Sequence, residues 1–169
     1  MERSKRHGPN RLQSYLEIHT TVMAKMLYSG LVEVDGLELP NGAAGELVIV
    51  GDLLLRDRVL KVTVVKSLQV SEGGEPSNPD VQTSSYSYNV SLCGHGNVFR
   101  YCSPHEDHNE YHHRHQYDPF GSNPEHSDVS DGGDDWPTLQ QVVEEADEWY
   151  SANVEKIQKL NESNKSTCD

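Results

Sequence analysis

Lysine is scarce in this chain, cysteine is scarcer, and long apolar runs are missing. Only 14 basic residues face 27 acidic ones, for a net charge of −13. A chain so short of positive charge carries no spread basic footprint to neutralise phosphates, so charge-driven nucleic-acid binding is excluded and any RNA contact has to be local. The acidic excess suits a protein kept soluble in concentrated salt, where self-repulsion is screened, and a halophilic source is expected from it. No apolar stretch approaches the roughly 20 residues of a bilayer span. The basic start is followed by no apolar segment, so neither secretion nor membrane spanning is expected. The three cysteines, Cys93, Cys102 and Cys168, are odd in number and form no CxxC pair. They read as thiols of a reduced, intracellular compartment.

What is present fits one domain, because a chain of 169 residues closes one core readily and would be cramped by two. Residues 1–9 read as a flexible start, 10–160 as the domain and 161–169 as a flexible tail. Asn10 is placed to cap an amphipathic helix in which Leu12, Tyr15, Leu16, His19, Met23, Met26 and Leu27 recur at three- and four-residue spacing, ending near Ser29 and Gly30. Alternating apolar residues in 31–40, interrupted at Gly36, predict a strand or two short ones. Two β-runs, 46–54 and 59–70, joined by the charged tip Arg56-Asp57-Arg58, predict a hairpin. A second hairpin follows from 85–92 and 98–102 around the turn Gly94-His95-Gly96-Asn97.

Residues 71–83 and 121–135, rich in Gly, Pro, Ser and Asp, read as mobile loops. Pro137 and a capping box, Thr138 with Gln141, announce a last helix whose apolar face runs through Val142, Val143, Ala146, Trp149, Ile157 and Leu160. The expected fold is α+β, an antiparallel sheet of five or six strands flanked by an N-terminal and a C-terminal helix.

Six of the nine histidines fall between His95 and His115. If residues 111–117 are extended, Tyr111, His113, His115 and Tyr117 share one face while His112, Arg114 and Gln116 share the other. Three chemistries are open to this stretch. With Glu106 or Asp107 nearby, the imidazoles are ligands for zinc or another transition metal. Without metal, one histidine removes a proton from a ribose 2′-hydroxyl and another protonates the leaving oxygen, Arg100 or Arg114 stabilising phosphate charge. Or the histidines are solvated loop residues packing with tyrosines. Cys102 reads as a small apolar filler near a strand end. His19 and Trp149 read as packed residues.

A strand of the form Tyr-x-Tyr-x-Val (Tyr86 to Val90), a glycine turn, a strand ending in Arg100-Tyr101, the motif His113-Arg114-His115 and a helix opening at Thr138-Leu139 together resemble the TumE-type toxins of toxin–antitoxin modules. The resemblance covers roughly residues 45–160. It departs where family members continue Arg-Tyr with Asp-Asn and this chain has Cys102-Ser103. It implies a cytoplasmic toxin that attacks RNA and is paired with a small helix-turn-helix antitoxin, with a homodimer left open. On that reading the chain is a metal-independent endoribonuclease in which His113 and His115 form the acid–base pair, Arg100 and Arg114 contact phosphate and Tyr101 orients one of them; no cofactor is called for. The alternative is a non-enzymatic binding protein, metal-loaded through His105, His108, His112 and the pair His113 and His115.

Overall fold

The computed structural model describes residues 9–40, 42–75, 77–104, 112–133 and 136–163. In chain order the elements are β1 (Asn10–Arg11), α1 (Leu12–Tyr28), β2 (Val34–Asp35), β3 (Glu46–Leu55), β4 (Leu60–Glu75), β5 (Asn78–Leu92), β6 (Gly96–Cys102), β7 (His112–Tyr117), β8 (Ser127–Gly133) and α2 (Leu139–Ser163). The expected α+β class holds. The eight-stranded antiparallel sheet runs β2-β3-β4-β5-β6-β7-β8, with β1 paired to β5 beyond the end of β6.

The sheet is larger than the five or six strands expected because both stretches read as loops contain strand. β4 and β5 run on as one long hairpin through 71–80, paired at Ser71↔Asp80 and Glu75↔Asn78 across a register shift. Few apolar side chains are needed there, since β1 hydrogen-bonds the far edge at Asn10↔Val81 and Arg11↔Asp80. Every backbone group taken from water in a ladder then has a partner. Val81 supplies a strongly buried side chain next to that extension, at 1% exposure. Likewise β8 forms inside 121–135 by pairing with β7 from Tyr117↔Ser127 to His112↔Gly133. Asn10 therefore belongs to a strand and does not cap α1, whose N-cap is Arg11 without a side-chain cap.

Alternation sorts each strand into two faces. On one, Leu60, Val62 and Val64 of β4 stand opposite Leu92, Val90 and Tyr88 of β5, and these in turn oppose Phe99 and Tyr101 of β6. Both helices pack on this face. α1 brings Met23 and Met26; α2 brings Val142, Val143, Ala146 and Ile157, each at most 1% exposed. Full burial of such a side chain contributes about 1.5–3 kcal/mol. The capping box forms as the sequence indicates, Thr138 N–H donating to Gln141 Oε1 (2.9 Å) and Gln141 N–H to Thr138 Oγ1 (3.3 Å). Among the described residues no helix packs on the other face, where Lys61, Thr63 and Ser67 of β4 and Ser87, Asn89 and Ser91 of β5 point.

Two places show why particular residues are needed. Gly51 has φ +145° and sits so close to Gly36 that a Cβ there would lie 2.2 Å from the Gly36 carbonyl oxygen. The hairpin tip Arg56-Asp57-Arg58 has all three residues at positive φ. Such strain persists only where surroundings hold it. Here Arg56 bonds Asp147 of α2 at 2.5 Å and Asp57 N–H donates to Glu33 at 2.5 Å, so the tip is anchored rather than freely solvated. Cys93 is disulfide-bonded, its partner lying outside the described residues, which corrects the reading of the cysteines as all reduced.

Candidate functional site

The predicted alternation through β7 is what the structure has. In the β6–β7 ladder Arg100 stands opposite His115, Tyr101 opposite Arg114 and Cys102 opposite His113. Because opposed residues point the same way, Arg100, Cys102, His113 and His115 converge on the helix-free face. Tyr101, Arg114 and Gln116 converge on the other, under α2.

On the helix-free face the two imidazoles meet edge to face with centroids 5.0 Å apart. His113 is 0% exposed, His115 6% and Cys102 4%. Cys102 Sγ lies 3.2 Å from His113 Nε2, Arg100 Nη2 lies 3.1 Å from His115 Nε2, and His115 Nδ1 lies 3.1 Å from Ser127 Oγ. A guanidinium only donates, so His115 Nε2 accepts and the proton of the neutral ring is on Nδ1, donated to Ser127. Burial pushes the Cys102 thiol pKa up, opposed by the charge and hydrogen bond of Arg100. One ligand atom from each of Cys102, His113 and His115 falls within 4.8 Å of the other two. A thiolate and two imidazoles at such spacing are a three-ligand set for zinc or a related transition metal, leaving a further coordination position for another side chain or water.

Arg100 is held incompletely. Among the described residues its Nε is buried with no partner, as is Oδ1 of Asn89, the residue opposite it on β5. A buried donor without an acceptor is costly, so this guanidinium has a reason to leave its position.

On the helix face, Arg114 donates to Glu145 of α2 (2.7 Å), to Tyr101 OH (3.1 Å) and to Gln116 Oε1 (2.6 Å), and Tyr101 OH donates to Glu145 (3.0 Å). The Arg114 guanidinium also lies over the Phe99 ring, 4.9 Å from its centroid. Arg114 and Tyr101 are thereby separated by the sheet from the histidine pair they were expected to serve. The metal candidates divide as well. His112 is on the helix face, its Nδ1 3.1 Å from Tyr86 OH and its ring stacked 4.0 Å from that of Trp136. It does not join the ligand group. His105 and His108 lie outside the described residues.

Cys102 is the residue that sequence reasoning set aside. Its signal was positional. With Arg100-Tyr101-Cys102 and His113-Arg114-His115 as adjacent antiparallel strands, one register puts cysteine opposite histidine, but nothing in the residue types selects that register. Set against models of protein families, curated proteins and solved structures, the chain finds no match.

Proposed function

We propose that the chain binds a transition metal, zinc in the first place, through Cys102, His113 and His115, with Arg100 giving up its hydrogen bonds when the ion enters. The observation that carries this is the convergence of three soft or borderline donors within 4.8 Å in a buried setting. Their burial fits a metal that consolidates the far half of the sheet, since β6 and β7 both supply ligands and metal binding is coupled to folding. It fits less well with a long nucleic-acid substrate, which has to reach its catalytic histidines. The test is stoichiometric metal uptake. Full-length chain incubated with zinc and desalted should retain about one ion per chain, and the cobalt form should show a thiolate charge-transfer band that Cys102→Ser removes. Elemental analysis finding no retained metal ends this reading.

A second reading is supported by the pairing of Arg100 with His115. A guanidinium against a neutral histidine next to a second histidine is the arrangement of a metal-independent ribonuclease, with His115 as base, His113 as acid and Arg100 on phosphate. On that reading the chain is the cytoplasmic toxin of a toxin–antitoxin module, held by a helix-turn-helix antitoxin. Arg114 and Tyr101 then act only by fixing β7 against α2. Growth arrest on expression should disappear with His113→Ala, and RNA cleavage should survive complete removal of metal by a chelator. Cleavage lost on chelation would refute it.

A further inference from the structure

On the helix side of the sheet a cavity of ≈ 230 Å³ opens between α1, the start of α2 and the strands β4 and β5. We propose that it binds a small organic monocarboxylate. Among the polar side chains that line it are Tyr15 and His19 from α1, Lys66 from β4 and Tyr88 from β5. Tyr88 is only 1% exposed, yet among the described residues its hydroxyl has no hydrogen-bond partner. Nor has that of Tyr15, and Lys66 Nζ has no ion pair, resting instead 5.1 Å from the centroid of the Tyr15 ring. Buried polar groups are hydrogen-bonded as a rule, and a buried phenol converging on one cavity with a half-buried phenol and a half-buried ammonium implies a ligand that completes them.

The ligand's chemistry follows from what is offered. Lys66 and the two phenols supply donors and one positive charge, so the complementary group has a single negative charge and more than one acceptor oxygen. The first turn of α2, present through Leu139 and Gln140, adds the positive end of the helix dipole. Burial lowers the His19 pKa, with Asp35 opposing and Lys66 adding to the shift, so the histidine adds no second fixed cation. Ile18, Val22 and Leu139 make an apolar wall for a short hydrocarbon part. At roughly 30 Å³ per water-sized group, the space holds about seven or eight non-hydrogen atoms. The desolvation that lowers the Lys66 ammonium pKa is the cost that a bound anion would remove.

Calorimetric titration of the full chain with sodium hexanoate tests this, with hexanamide and inorganic phosphate as the comparison probes. Hexanoate should bind saturably, one per chain, and at least about tenfold more tightly than hexanamide, the loss expected for a charge-assisted hydrogen bond. Lys66→Met, which keeps the aliphatic stem, should weaken hexanoate by about tenfold or more, and Tyr88→Phe by roughly threefold or more. Absence of saturable hexanoate binding, equal affinity for hexanamide, phosphate binding as tightly as hexanoate, or a Tyr88→Phe variant of unchanged affinity would each overturn the proposal.

Discussion

Replacing Glu145 by alanine removes the carboxylate that ties α2 to β6 and β7. Its two oxygens accept from Arg114 at 2.7 Å and from Tyr101 at 3.0 Å. A hydrogen bond to a charged group contributes about 1.5–3 kcal/mol and a neutral one about 0.5–1.5. The pair is partly open to solvent, at 24% for Arg114 and 34% for Glu145, which lowers the ionic share. Arg114 also keeps Gln116 and the Phe99 ring as partners, so its charge is not stranded by the change. The expected loss is about 2 kcal/mol, or a fall in Tm of roughly 4–8 °C for a chain of this size. Urea unfolding followed by tryptophan fluorescence measures it. A double-mutant cycle with Tyr101→Phe should show coupling of about 0.5–1 kcal/mol. Metal uptake should be unaffected, because the ligand group is on the other side of the sheet. A loss under about 0.5 kcal/mol, or loss of metal with the fold intact, would refute the separation of the two faces.

Gly51→Ala should destabilise by more than about 3 kcal/mol, since the added Cβ meets the Gly36 backbone and the φ is one that alanine avoids. An unchanged urea midpoint would show that β2 can be released at little cost. Lys66 gives a pH dependence with a definite sign. Burial lowers its pKa from 10.5 to about 8, so between those values the unfolded chain binds more protons and stability rises with pH. Lys66→Met should therefore be more stable than the unaltered chain by about 3 kcal/mol near pH 7, the advantage fading as pH rises through about 8 towards 10. Tyr15, raised by burial to about 12, acts oppositely and only above about 10. A constant difference across that range would mean that Lys66 titrates normally.

Local patterns identified most of the elements correctly. The 3.6-residue spacing of α2 and its Thr138–Gln141 box, the alternation of β3 to β6 and the two-faced β7 are all properties of adjacent residues, and all are in the structure. Composition misled at 71–83 and 121–135, where polar residues become strand because a neighbour's open edge takes up their backbone groups. In the first stretch the two arms of the β4–β5 hairpin pair with each other and β1 takes the far edge at Asp80 and Val81; in the second the edge is supplied by β7.

The sequence by itself determined that His113 and His115 share a face and that Arg114 points away from them, since a strand's period of two leaves no other arrangement. Which partners each face meets was decided only in three dimensions. The register of β6 against β7 placed Arg100 and Cys102 beside the imidazoles, and the docking of α2 gave Arg114 and Tyr101 to Glu145. A shift of one residue in that ladder would exchange the two sets, and what opposes it is the loss of the Arg114 contacts with Tyr101 and with Glu145 of α2, residues far apart in the chain.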